Sequence, residues 1–185
     1  MSKKTCIVLV GPPCSGKSTT GKLTASKMNI EYISSGDIAR EMAKHDVVIN
    51  ADLSAGYMAP EDKMRKSISD KLWYNLFTKG KDVVILDGFP RFGDQANWLQ
   101  NEVALNNINI YYVIFNITSL STIIDRSVHR GRNDDKNLET RLDYYFRVTF
   151  PELGNRINYF IDADENTVEE CSELLTKYIK EVTNK

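Results

Sequence analysis

The apolar and β-branched run TCIVLV, at positions 5–10, ends directly on GPPCSGKSTT, at 11–20. No other stretch constrains the fold as much. Gly11, four residues, then Gly16-Lys17-Ser18 is the pattern G-x-x-x-x-G-K-[ST]. Its glycines let the backbone curl so that successive N–H groups point at one anion. A helix beginning near Lys17 turns its positive end toward the same point. Lys17 adds a mobile cation for outer phosphates, and the Ser18 hydroxyl is placed to ligate Mg²⁺. A purely structural turn needs neither the lysine nor the hydroxyls. The chain must therefore build a strand, a phosphate-binding loop and a helix, in that order.

The rest of the sequence extends this unit. Further apolar runs occur at EYIS (31–34), DVVILD (82–87), NIYYVIFNI (109–117) and INYFID (157–162). None alternates cleanly with a period of two, which predicts strands covered on both faces. Helical patterns fall between them. One runs from Pro60 and its following acids to Lys79-Gly80, and another opens on a capping box from Thr167 to Glu170. Strands alternating with helices predict an α/β fold with a mainly parallel sheet. The segments 45–60 and 129–137 are poor in core signals and read as surface flaps.

Three more groups of residues bear on chemistry. Asp87 closes the run VVILD, so it stands at the carboxyl end of a strand, where open α/β sheets bind ligands. A carboxylate beside a phosphate loop repels phosphates unless a cation such as hydrated Mg²⁺ lies between them. Arg91 and Gln95 follow at intervals of four, a guanidinium for a phosphate and an amide for a base edge. In SSGDIAR (34–40), a short strand passes through hydroxyls into a helix bearing Arg40. In DRSVHRGRNDDKNLETRLDYYF (125–146), Arg126 and Arg130 share a helix face, with Arg132 and Arg141 beyond them. Each group alone can be a cap, a turn or a solvated salt-bridged face. Together they are the parts of phosphoryl transfer: a loop, a metal carboxylate and several arginines.

Composition excludes other classes. With 24 basic and 25 acidic residues the net charge is -1, so no global basic field points to nucleic acid or an anionic membrane. The three cysteines lack a C-x-x-C pair, which argues against a disulfide framework and suggests a reducing compartment. No stretch approaches a membrane span, and MSKK leads into a strand without a targeting segment. The expectation is one cytoplasmic, monomeric domain over 1–185.

In order along the chain, GPPCSGKST, ISSGDIAR, LDGFPRFGDQ, DRSVHRGRNDD and RLDYY resemble the adenylate kinase and UMP/CMP kinase family of nucleoside monophosphate kinases. The likeness spans essentially the whole chain. It implies a three-layer P-loop fold: a five-stranded parallel sheet flanked by helices, with a monophosphate-binding insertion over 34–63 and a short lid over 129–137. It also implies ATP and a nucleoside monophosphate as substrates, with Mg²⁺ held through water by Asp87, beside the Ser18 hydroxyl that the loop pattern itself offers. By motif position ATP would lie on Gly11, Pro12, Pro13, Cys14, Ser15, Gly16, Lys17, Ser18 and Thr19, with Arg126 and Arg130. The acceptor would lie on Ser35, Gly36, Arg40, Met58, Ala59, Gly88, Arg91, Gln95, Arg132 and Arg141. Lys17, Arg91, Arg130, Arg132 and Arg141 would serve the transfer itself.

This chain departs from the pattern in three places. Ser18 replaces the usual Gly, RGRNDD makes a lid too short for zinc, and the spacing to Arg141 is compressed. The resemblance places Gln95 beside the acceptor base. Its length favours AMP, with UMP and CMP as the alternative. A binding module without turnover is disfavoured because Lys17, Asp87 and the arginines are all present.

Overall fold

The computed structural model describes residues 3–130 and 137–184, without the Arg130 side chain. Strand β1 (Thr5–Val10) is buried along its whole length. It occupies the middle of a five-stranded sheet in the order β2-β3-β1-β4-β5. The other strands are β2 (Glu31–Ser34), β3 (Val83–Asp87), β4 (Asn109–Asn116) and β5 (Ile157–Asp162), and every pairing is parallel. These are the five apolar runs of the sequence. Cys6, Val8 and Val10 enter one core cluster while Ile7 and Leu9 enter the other. Both faces of β1 are thus covered, so both sets of its side chains must be apolar.

The helices are α1 (Lys17–Met28), α2 (Ser35–Ala43), α3 (Val47–Ser54), α4 (Glu61–Trp73), α5 (Gly93–Leu105), α6 (Leu120–Arg130), α7 (Leu138–Tyr144), α8 (Phe150–Leu153) and α9 (Val168–Thr183). One core cluster joins α2, α4 and α5 to the sheet through Ile38, Met64, Ile68, Leu72, Leu99 and Val103. The other joins α6, α7 and α9 through Ile123, Leu142, Leu175 and Ile179. These are the two outer layers. Across the second, the Thr24 and Ser172 hydroxyls of α1 and α9 meet at 2.9 Å.

Two elements differ from the sequence expectation. The helix after Pro60 is α-helical only to Trp73 and continues as a π-helical turn over Tyr74–Thr78. Met64, Ile68, Leu72 and Leu76 recur every fourth residue and are all buried. An α-helix drifts past such a spacing, since its turn holds about 3.6 residues. The wider turn offsets that drift and keeps Leu76 in the core. Asn75 Nδ2 donates to the Lys71 carbonyl at 2.9 Å, within the reorganised turn. Segment 45–60 also contains the helix α3. Asp46 caps it, accepting from the Val48 and Ile49 N–H groups at 3.1 and 3.2 Å. Ile49 is its only buried residue, so no apolar stripe announces it.

The capping box at α9 forms as expected. Thr167 Oγ1 accepts from the Glu170 N–H, and Glu170 Oε2 accepts from the Thr167 N–H at 2.8 Å. Thr167→Ala is expected to lower stability by about 1 kcal/mol, the typical worth of such a cap. Urea unfolding measures it, with an unchanged m-value. Among the described residues no helix is long and apolar enough to cross a membrane. Cys6, Cys14 and Cys171 are all buried and none is in a disulfide.

Candidate active site

Every strand of the sheet runs the same way, so the carboxyl ends of β1, β2 and β3 lie together. Leu9 is in register with Asp87, and so is Ser34. The loop that follows β1 therefore curls directly beside Asp87. Gly11 sits so close to β4 that a Cβ there would lie 2.8 Å from the Phe115 carbonyl oxygen. Only glycine fits. At the far end of the loop Gly16, with φ of 86°, opens α1 at Lys17.

Lys17 Nζ donates to the Pro12 carbonyl at 3.1 Å, folding its side chain back over the loop. From there it borders two cavities. On one side a cleft of about 320 Å³ is lined by Gly11, Pro13, Lys17, Met58, Gly88, Arg91 and Arg141, among others. On the other a cavity of about 400 Å³ is lined by loop residues Cys14 to Thr20, with Arg126, His129 and Asn166. Arg126 Nη2 donates to the Ala163 carbonyl at 2.9 Å, which ties α6 to the turn after β5. The loop lysine is the seam between the two cavities.

The cleft continues into a space bordered by Gly36, Arg40, Tyr57, Arg91 and Arg141. Arg40, Arg91 and Arg141 come from α2, the turn after β3, and α7, yet they face one volume. Neighbours orient Arg91 and Arg40. Arg91 Nε donates to the Gly88 carbonyl at 2.9 Å, and Arg40 Nη2 pairs with Asp37 Oδ1 at 2.5 Å. Burial alone would raise the Asp37 carboxyl pKa. Hydrogen bonds from Arg40 and Lys22 outweigh burial and hold it below its usual range. Asp37 therefore stays ionised and keeps Arg40 in place.

A narrow slot of about 40 Å³ adjoins the cleft, lined by Ser35, Met58, Ala59, Gly88, Arg91 and Gln95 and their neighbours. Gln95 is buried, and its Oε1 accepts from the Arg91 backbone N–H at 2.8 Å. That bond fixes which way the amide faces. The Ser35 hydroxyl is also buried and has no hydrogen-bond partner.

Asp87 is 3% exposed. Its Oδ2 accepts from Ser18 Oγ at 2.5 Å and from the Tyr32 hydroxyl at 2.6 Å, while Oδ1 has no partner. An orphaned buried carboxylate oxygen is costly unless something outside the protein completes it. No group of three or more His, Cys, Asp or Glu side chains among the described residues could hold a metal alone. One carboxylate with one hydroxyl, both oxygen donors, instead fits a hard cation that keeps most of its water, as Mg²⁺ does.

A family model described as an AAA domain matches residues 10–141. The adenylate kinase of Corynebacterium aurimucosum is 31% identical over 173 residues, covering 90% of this chain and 94% of its own. The chain belongs to the adenylate kinase family of nucleoside monophosphate kinases. Two further adenylate kinases show how widely the likeness reaches. That of Encephalitozoon cuniculi is 31% identical across 80% of both chains, and that of Acholeplasma laidlawii 31% across 97% of this chain and 98% of its own.

Within this member of the adenylate kinase family, the expected residues fall into three sets. Cys14 to Thr19 and Arg126 share the outer cavity. Gly11, Pro13, Met58, Gly88, Arg91 and Arg141 share the cleft, which Arg40 and Gly36 extend. Ser35, Ala59 and Gln95 share the slot. Pro12 borders none of these cavities and contributes its carbonyl to Lys17. Arg132 and the Arg130 side chain, with most of the lid over 129–137, lie outside the described residues. Sequence reasoning missed Tyr32 and Tyr57. Tyr32 is hidden inside an apolar strand, where an aromatic reads as core. Tyr57 follows Gly56 in the flap and borders both the cleft and its extension.

Proposed function

We propose that the protein transfers the γ-phosphoryl group of ATP to AMP, reversibly, giving two ADP. The observation that carries this reading is the position of Lys17, which borders an outer cavity and an arginine-lined cleft at once. One cation on the boundary suits a group that must cross it.

In this reading the loop from Gly11 to Thr19 holds the ATP phosphates with its N–H groups and the start of α1. Arg126 lies against the donor nucleotide. Segment 34–63 receives the acceptor, and segment 129–137, with Arg130 and Arg132, closes over both as a lid. Arg40, Arg91 and Arg141 hold the AMP phosphate. An oxygen of that phosphate attacks the γ-phosphorus in line. The bond from the γ-phosphorus to the bridging oxygen breaks, and its electrons leave on the β-phosphate of ADP. The attacking oxygen is already anionic, so no general base is needed. Positioning and charge neutralisation carry the reaction. Mg²⁺ held by Ser18 and Asp87 would neutralise charge between the phosphates and the carboxylate. Three cysteines outside any disulfide favour a reducing, cytoplasmic setting.

Gln95, Ser35, Met58 and Ala59 would frame the acceptor base. With Gln95 Oε1 held by the Arg91 N–H, the amide presents its NH₂ group to the slot. Adenine has a ring acceptor to meet it. Met58, unbranched and adaptable, is the wall best able to move and admit a purine. Gln95→Asn is expected to reduce kcat/KM for AMP about tenfold while changing UMP and CMP little, because a shorter amide cannot keep both partners. A coupled ADP-formation assay with ATP–Mg²⁺ against AMP, UMP, CMP, GMP and dTMP tests both statements. A preference for UMP or CMP in the unmodified enzyme would overturn the acceptor assignment. No turnover of any acceptor would overturn the reaction.

A further inference from the structure

Asp87 is held by two hydroxyls of different kinds. Ser18 belongs to the phosphate loop and to the proposed cation site, so it is drawn toward any bound metal. Tyr32 belongs to β2, on the sheet itself, and reaches Asp87 Oδ2 at 2.6 Å. Both donate to the same oxygen, and Oδ1 stays buried and without a partner. We infer that Tyr32 is a positioning residue for the metal. By holding Oδ2, it fixes the Asp87 carboxylate and reserves Oδ1 for the hydrated cation, including when Ser18 leaves Oδ2 for that cation. This rests on the Mg²⁺ reading given above.

The setting of the ring suits that role. A Cβ on Gly21 of α1 would lie 2.8 Å from Tyr32 Cε2 and 2.7 Å from Leu9 Cδ1, so the ring is wedged between helix and sheet. Above it, Lys22 Nζ lies 5.6 Å from the ring centroid. Lys22 in turn pairs with Asp37 at 3.3 Å. A ring held on several sides keeps its hydroxyl in one place, and a carboxylate held by a fixed donor has one orientation. The phosphate loop needs no such donor for nucleotide binding, since its N–H groups and Lys17 address the phosphates directly. The effect of Tyr32 should therefore appear in metal binding and spare the nucleotide itself.

The test is calorimetric titration of ATP into the whole chain, once with excess Mg²⁺ and once with EDTA, for the unmodified protein, Tyr32→Phe and Asp87→Ala. Tyr32→Phe keeps the ring and removes only the hydroxyl. Its affinity for metal-free ATP should stay within about twofold, which also reports that the loop is folded. Its gain in affinity on adding Mg²⁺ should fall about tenfold, the usual effect of removing a partner of a metal ligand. With AMP present, kcat should fall and the KM for AMP should not. Equal weakening of metal-free and metal-bound ATP would make Tyr32 merely structural and overturn the inference. An unchanged Mg²⁺ gain in Tyr32→Phe, with that gain lost in Asp87→Ala, would overturn it too and leave the metal site standing. An unchanged gain in Asp87→Ala would overturn the metal site and with it this role for Tyr32.

Discussion

Lys17→Met is expected to fold, to bind ATP with modest loss, and to turn over about a thousandfold more slowly than the unmodified enzyme. Methionine forms helix about as well as lysine. In the structure the Lys17 ammonium donates to the Pro12 carbonyl at 3.1 Å. That carbonyl can turn to water, so stability should change little. The loss in rate has a different origin. In the proposed transfer the γ-phosphoryl passes between two anionic phosphates, at the boundary that Lys17 borders from both sides. A unit charge about 4 Å away, at an effective dielectric constant near 20, is worth about 4 kcal/mol. Each 1.4 kcal/mol is about tenfold in rate. Nucleotide binding also draws on the loop N–H groups, so the ground state loses less than the transition state. Thermal melting, ATP titration and the coupled assay on one preparation separate these quantities. A folded Lys17→Met enzyme with kcat close to the unmodified value would remove Lys17 from the transfer step.

The phosphate loop and the five strands were legible because each rests on a local rule. A strand buried on both faces must be apolar throughout, and a backbone that curls around an anion must have glycine where Gly11 approaches Phe115. The π-helical turn was not legible. It answers a packing requirement, the burial of Leu76 in line with Leu72, that arises only once α4 lies on the sheet. Helix α3 was missed for the opposite reason: one buried residue, Ile49, leaves no periodicity to read. In the candidate site, charge and motif spacing singled out Lys17, Asp87 and the arginines. They did not single out Tyr32, whose proposed role depends on a hydroxyl meeting a residue 55 positions away in the chain. Nor did sequence indicate that Gln95 spends its oxygen on the Arg91 backbone. Contacts between distant elements set both.

Arg91→Ala should lower kcat/KM for AMP about a thousandfold and leave the KM for ATP within about threefold. Arg91 stands in the turn after β3, where Gly88 and Gln95 hold it from either side: its Nε donates to the Gly88 carbonyl and its N–H to Gln95 Oε1. The guanidinium is therefore oriented before any ligand arrives, and with Arg141 it borders both the cleft and its extension. A fork of donors already in place can engage two oxygens of a phosphate without first being ordered. Alanine loses that charge and also the Nε bond to Gly88, so the turn loosens as well. Arg91→Lys separates the two contributions. It restores the charge, but as a point charge on a flexible stem it reproduces neither the fork nor the Nε bond. It should recover no more than about tenfold of the lost kcat/KM. The outer cavity, lined by the loop, Arg126 and Asn166, does not include Arg91, which is why ATP should be spared. Equal loss for both nucleotides would mean that Arg91 maintains the turn as a whole. Full recovery in Arg91→Lys would mean that charge alone, without geometry, holds the acceptor phosphate.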